Sequence, residues 1–238
     1  MVKKIVGTGV LLVLALALQA GVKMYTLKSP DGKVKLEVTA GQGIAYSLFY
    51  DGRLLLKPSR IALHTDLPEA DHWENIRITG TKQRHVSETV QAPFYRVKEF
   101  GIDCNELELR LNNGFSLLMR AYNDGMAYRF VAGRKGEMTV VEERAEFNFA
   151  DDFEAYIPYS TNPKDPWNMA FQNFYTKAPL TQYNTELPAF LPLTVDAGAV
   201  KLTLLESDLE AYPGMFVCGD GKTPALKGVF AAYPQETF

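Results

Sequence analysis

The chain has 238 residues, 47% of them hydrophobic and 22% charged, with a formal net charge of −3. This length and balance fit one large β domain or two small ones around a sizeable core, and argue against a disordered polypeptide. No basic stripe or block of like charge is present, so nucleic acid is a poor partner.

The N-terminus differs from the rest. Lys3 and Lys4 precede an apolar run from Ile5 to Leu18, broken only by Gly7, Thr8 and Gly9, and Ala15, Ala17 and Ala20 supply small residues for cleavage. The pattern predicts a secretory signal peptide over residues 1–20 and one domain over residues 21–238, in a periplasmic or secreted protein. The run is shorter than the roughly 20 residues a spanning helix needs. No Cys follows it for lipid attachment, so no membrane contact is expected after cleavage.

Beyond it, period-two alternation dominates. Ser29-Pro30-Asp31-Gly32 reads as a turn, where Pro presets φ and Gly supplies a positive one. Val34, Leu36 and Val38 then alternate with Lys35 and Glu37, as a half-buried strand does. Residues 45–50, Asp51-Gly52 and residues 53–56 form a hairpin signal. Glu69 to Asn75 is the one stretch where a short helical turn is expected. Leu107, Leu109 and Leu111 alternate with Glu108 and Arg110; Asn112-Asn113-Gly114 and Asn123-Asp124-Gly125 then punctuate two more strands, giving a three-stranded meander. Pro158 to Asn184 is irregular and rich in aromatics, Pro and Asn, which predicts a long loop or flap. Further strands are expected at Val200 to Leu205 and Gly228 to Tyr233. The whole reads as an all-β, antiparallel two-sheet sandwich without a visible internal boundary.

The two cysteines, Cys104 and Cys218, fit either one disulfide in an exported protein or two separate thiols packed as small hydrophobes. His64, His72 and His85 lack metal-ligand spacing, so zinc is not expected. Neither a Gly-rich phosphate loop nor a Gly-x-Ser-x-Gly elbow is present.

Four segments, in order, carry a resemblance: Ser29-Pro30-Asp31-Gly32-Lys33; residues 120–130, from Arg120 to Phe130; Tyr183-Asn184-Thr185-Glu186 followed by Pro192-Leu193-Thr194; and residues 206–215, from Glu206 to Met215. Together they resemble the N-terminal domain of glycoside hydrolase family 97, which includes bacterial α-glucosidases and α-galactosidases. The resemblance implies a large sandwich of the galactose-mutarotase-like, super-sandwich kind. It implies packing on a (β/α)8 catalytic barrel, an oligosaccharide substrate, and a calcium ion shared with that barrel. The barrel's pattern is not found in this sequence. The chain alone is therefore expected to be inactive, to bind calcium weakly or not at all, and to expose an apolar face.

On this reading Glu186 is the calcium ligand, because calcium prefers hard oxygen donors and takes about 6–8 of them. Glu206, Ser207 and Asp208, at a strand end, are the candidate substrate contacts. Glu206 and Asp208 are spaced as an acid–base pair could be, but so are many surface carboxylates, and the family's catalytic carboxylates lie in the barrel. Asn123-Asp124-Gly125 reads as structural, flanked by Arg120 and Arg129 that could pair with carboxylates. Trp167 could stack on a sugar or anchor its loop on the core, and Tyr212-Pro213-Gly214 reads as a turn with a buried ring. Two other readings stand beside the first: a stand-alone carbohydrate-binding sandwich, and a periplasmic structural module.

Overall fold

The computed structural model describes residues 22–168, 172–210 and 212–232. The expected signal peptide and Tyr233, the end of the last expected strand, lie outside the described residues. The chain forms two compact units: one takes residues up to Gly52 together with His64–Val140, the other Arg53–Leu63 together with residues from Val141 onward. Each unit is assembled from segments distant in sequence, so no linker marks a boundary along the chain.

The first unit opens with β1 (Lys23–Lys28), β2 (Val34–Gly41) and β3 (Gly43–Tyr50), paired antiparallel in that order. Asp51 and Gly52, which lead out of β3, have φ of 48° and 78°, the left-handed pair that a two-residue hairpin turn demands. The next strand, β4 (Arg53–Thr65), begins in the second unit and ends in the first. A second antiparallel sheet follows as a meander of β5 (Ile78–Gln91), β6 (Glu99–Leu111), β7 (Phe115–Tyr122) and β8 (Gly125–Ala132). β1 and β2 pack against β6 and β7. Alternation decides what lies between them: Val34, Leu36, Val38 and Ala40 of β2, Leu107, Leu109 and Leu111 of β6, and Phe115, Leu117, Met119 and Ala121 of β7 are all buried.

The expected helical turn at Glu69 to Asn75 is a single hydrogen-bonded turn, in which the Ala70 and Asp71 amides donate to the Leu67 carbonyl at 2.9 and 3.1 Å. It does not continue into a helix, because Trp73 is drawn into the core, edge-on to Phe130 at 5.2 Å between ring centres. The Asn123-Asp124-Gly125 turn is structural as expected: the Asn123 side-chain oxygen accepts from the Asp31 amide at 3.0 Å and ties the turn to the one before β2.

On the face of β5–β8 turned away from β1 and β2, Arg84, Glu106 and Arg120 stand in one cross-strand row. The Glu106 carboxylate is only 5% exposed and accepts from Arg84 Nε at 2.6 Å and Arg120 Nε at 2.8 Å. Burial pushes its pKa up, but the two guanidiniums outweigh burial and hold the carboxyl below its ordinary value of 4.5.

The second unit contains β9 (Val140–Asn148), β10 (Glu154–Ile157), β11 (Thr176–Pro179), a 3-10 turn (Leu180–Gln182), β12 (Leu193–Ala197), β13 (Val200–Leu204), β14 (Met215–Gly219) and β15 (Ala225–Phe230). Within this unit β4, β9, β15 and β14 are hydrogen-bonded neighbours in that order, and a separate four-stranded sheet runs β11, β10, β12, β13. Phe149, Ile157, Leu180, Leu193, Val195 and Val217 are among the buried side chains of this unit. Cys104 and Cys218 are both free thiols, which decides the question left open by the sequence. Among the described residues no helix is long and apolar enough to cross a membrane.

Two predictions follow from the first unit. Glu106 is held ionised in the fold, so its contribution to stability is present above pH 4.5 and is lost as pH falls through its lower folded-state pKa. Glu106→Gln should therefore cost about 1–3 kcal/mol at neutral pH and flatten the acid limb of a urea-unfolding pH profile; an unchanged acid limb would contradict this. The hairpin between β5 and β6 exposes Val90, Phe94, Tyr95, Val97 and Phe100, with Phe94 98% exposed. Such a patch binds hydrophobic dyes, and Phe94→Ser with Tyr95→Ser should lower dye fluorescence without shifting the thermal midpoint.

Candidate functional site

The second unit carries all four candidate residues, on two loops. The first loop, from Tyr183 to Leu187, holds Glu186 and is fixed by two tyrosines. The Tyr183 hydroxyl donates to the Val217 carbonyl of β14 at 2.7 Å, with the Leu187 carbonyl 3.1 Å away as a second acceptor. Burial drives the Tyr183 pKa far upward, so the hydroxyl stays a donor. The Tyr159 hydroxyl accepts from the Asn184 amide at 2.8 Å, and the two tyrosine rings meet edge-to-face at 5.0 Å. Asn184 then turns the chain, its side-chain oxygen accepting from the Glu186 amide at 3.1 Å. Ala189 completes the anchorage by exchanging both backbone hydrogen bonds with Val217, each 2.8 Å. The Glu186 residue itself is exposed.

The second loop runs from Leu205 to Gly214 between β13 and β14. Glu206 is half-buried and turned inward: the Met215 amide lies 2.9 Å from each of its carboxylate oxygens. Burial pushes the Glu206 pKa up against the lowering effect of that amide. Ser207 and Asp208 are exposed. Asp208 and Glu210 have φ of 60° and 44°, left-handed conformations that cost non-glycine residues of order 1 kcal/mol or more. The loop closes on a hydrogen-bonded turn that ends at Tyr212, just before the expected Tyr212-Pro213-Gly214 turn: the Tyr212 amide donates to the Leu209 carbonyl at 2.7 Å, and the residue is half-buried.

The Tyr212 ring packs edge-on to Phe230 at 5.9 Å, and its hydroxyl donates to a Glu143 carboxylate oxygen of β9 at 2.7 Å. Burial raises the Glu143 pKa; the Tyr212 hydrogen bond opposes this, and the negative charge of Glu206 adds to it. The loop that carries Ser207 and Asp208 is thus pinned to the sheet by two carboxylates, one taking a backbone amide and one a phenol. Sequence reading missed Glu143, which looks like any glutamate in the charged stretch Glu142-Glu143-Arg144; only its pairing with a tyrosine 69 residues away marks it.

Glu186, Glu206 and Asp208 do not converge: among the described residues no three His, Cys, Asp or Glu side chains form a group able to hold a metal ion. An exposed glutamate of this kind is chemically suited to calcium, but it supplies at most two of about 6–8 oxygens. Trp167 anchors its loop as the second of its two readings had it, edge-on to Phe216 at 4.9 Å. The nearby Phe174, by contrast, is 94% exposed, a feature the sequence did not single out.

Comparison with known proteins agrees with this architecture. Residues 27–234 match the family model described as Glycosyl-hydrolase 97 N-terminal. A "Retaining alpha-galactosidase" of Bacteroides thetaiotaomicron is 39% identical over 229 residues, covering 93% of this chain and 34% of the relative. A "Probable retaining alpha-galactosidase" of Streptomyces bingchenggensis is 26% identical over 158 residues, 65% of this chain and 24% of that protein. The chain thus spans about a third or less of these relatives. Among solved structures, a glycoside hydrolase family 97 enzyme from a Pseudoalteromonas species, in complex with acarbose, superimposes with a TM-score of 0.72 at 18% identity, over 87% of this chain and 32% of that one. A β-arabinopyranosidase crystal structure matches with the same TM-score at 20% identity, over 87% of this chain and 35% of that one. At such identities the structures attest the fold alone.

The raised Glu143 pKa gives a test with the opposite sign to Glu106. The folded state holds the Glu143 proton more tightly, so its contribution is fullest below pH 4.5 and is lost as pH rises through the higher folded-state pKa. Glu143→Gln keeps an acceptor for Tyr212 and removes the charge. It should hold the thermal midpoint steadier above pH 4.5 than the parent chain does; identical pH profiles would refute the buried-carboxylate reading.

Proposed function

Because this chain belongs to the glycosyl-hydrolase 97 N-terminal family, we propose that it is the cleft-shaping domain of an exported, calcium-dependent retaining α-galactosidase. The observation that carries the choice of reaction is the 39% identity, over nearly the whole chain, to a protein named as a retaining α-galactosidase.

Retention at the anomeric carbon uses two carboxyl groups about 5–5.5 Å apart, one acting as acid then base and the other as nucleophile. In this reading both come from a (β/α)8 catalytic domain and none from the present chain. What the chain supplies is position. The loop of Tyr183 to Leu187 presents Glu186 as one calcium ligand, the other oxygens coming from the catalytic domain. Calcium, when bound, would stabilise negative charge near the departing oxygen. Glu186 is offered from a loop fixed at the Tyr183 hydroxyl, the Asn184 amide and the Ala189 backbone, so little conformational freedom remains to be lost on binding the cation.

The second loop lines the substrate cleft. Ser207 and Asp208 offer exposed polar groups to sugar hydroxyls, and the strained backbone at Asp208 supports a role beyond chain connection. Glu206 works inward: with its carboxylate on the Met215 amide it positions Ser207 and Asp208, and it meets the substrate through an oxygen shared with that amide. Export through residues 1–20 and a periplasmic or extracellular location complete the proposal.

In the enzyme containing this domain and its catalytic domain, Glu186→Gln should lower the apparent calcium affinity by about tenfold or more, the effect of losing a charged ligand. Activity toward an aryl α-galactoside should recover at high calcium. The chain by itself should leave the same substrate intact. Hydrolysis by the isolated chain, or full activity of Glu186→Gln in calcium-depleted buffer, would overturn the assignment.

A further inference from the structure

Phe174 exposes 94% of its surface, yet the backbone on either side of it is held in place. The Asn173 side chain donates to the Tyr159 carbonyl at 2.8 Å, and its oxygen accepts from the Phe174 amide at 2.9 Å. On the other side the Tyr175 hydroxyl donates to the Pro192 carbonyl at 3.2 Å, and the strand β11 begins one residue later. An aromatic ring left in water on a tethered backbone gains nothing for the fold, since it buries no apolar area.

The tether also ties Phe174 to the Glu186 loop. Tyr159 is the shared post: its carbonyl holds Asn173 and its hydroxyl holds the Asn184 amide, two residues before Glu186. The ring of Tyr159 is itself locked edge-on against the buried Tyr183. An exposed aromatic face and an exposed carboxylate are thus presented from two segments fixed to one residue, one at its backbone carbonyl and the other at its side-chain hydroxyl. Trp167, another aromatic of this irregular stretch, packs edge-on against Phe216.

Pyranose rings offer aromatic faces a patch of C–H groups, and flat aromatic surfaces bind them by burial and by the ring's electron-rich face. Resting on the α-galactosidase reading above, we propose that Phe174 is a substrate-positioning residue whose ring stacks on a galactosyl unit of the saccharide beside the Glu186 loop. In α-galactosides the protons on C3, C4 and C5 form the apolar patch, so this is the face the ring would meet. Phe174 takes no part in bond making or breaking; it orients the sugar.

Saturation-transfer NMR on the purified chain with methyl α-D-galactopyranoside tests this directly, because it registers weak binding and reports which sugar protons touch protein. The parent chain should transfer saturation most strongly to H3, H4 and H5. Phe174→Ala should reduce that transfer roughly five- to tenfold, Phe174→Trp should retain it, and Phe94→Ala, at an equally exposed ring in the other unit, should leave it unchanged. All variants should keep the parent's thermal midpoint, since no buried group is altered. Transfer that persists undiminished in Phe174→Ala overturns the proposal, as does the absence of transfer to the parent chain. If transfer is absent while Glu186→Gln still shifts calcium dependence in the complete enzyme, the stacking role falls and the α-galactosidase reading stands. If transfer is seen with methyl α-D-glucopyranoside instead, and is lost in Phe174→Ala, the platform stands and the galactoside preference falls.

Discussion

The second unit is organised around one buried hydrogen bond, from the Tyr183 hydroxyl to the Val217 carbonyl. A phenol taken out of water must keep a partner or lose on the order of 1–3 kcal/mol, and this one finds it in a strand carbonyl of β14. The bond fixes the start of the Glu186 loop to the sheet. It also brings the ring so close to β14 that a Cβ at Gly219 would lie 2.7 Å from the Tyr183 ring, which is why glycine stands there. Tyr159 packs on the same ring and holds both the Glu186 loop and the segment bearing Phe174. Without the tyrosine pair the Glu186 loop would lose its attachments to the Tyr159 hydroxyl and to the β14 carbonyl.

The carboxylates of the chain show how partners, not residue type, set chemical character. Glu106 is buried beneath two guanidiniums and stays ionised. Glu143 and Glu206 are partly buried with only neutral donors, a phenol and a backbone amide, and burial raises both. The first brings its own counter-charges; the other two have none, and the negative charge of Glu206 adds to the rise at Glu143. Neither arrangement makes a glycosidase acid–base pair. One staples a sheet and the other fastens a loop.

Much of the first unit was legible along the chain because one face of each strand is dry and the other wet. Val34, Leu36 and Val38, then Leu107, Leu109 and Leu111, announce their strands by alternation, and Asp51-Gly52 announces its turn by the positive φ it needs. β5 was not legible: in ITGTKQRHVSETVQ both faces are largely exposed, so no apolar period exists to detect. β9 was missed for the related reason that Val141 is exposed and the charged Glu142-Glu143-Arg144 follows it, so buried alternation starts only at Ala145. The division into two units escaped because each is discontinuous. In the candidate site, the loops themselves could be read from their motifs, and Glu186, Ser207 and Asp208 are exposed where the chain turns. The inward turn of Glu206 could not be read, since it depends on an amide nine residues later, nor could the Tyr212–Glu143 contact across 69 residues. The free state of the two cysteines likewise depends on tertiary placement, which spacing does not encode.

In the proposed function this sandwich contributes one carboxylate to a calcium ion whose remaining ligands belong to the catalytic domain. The most direct measurement is a crystal structure of the complete enzyme with calcium and a bound galactoside, the cation located by its anomalous signal. The account predicts a Glu186 oxygen about 2.3–2.6 Å from the ion, with the Tyr183-to-Val217 hydrogen bond intact behind it. A calcium ion fully coordinated by the catalytic domain, with the Glu186 carboxylate facing solvent, would contradict it.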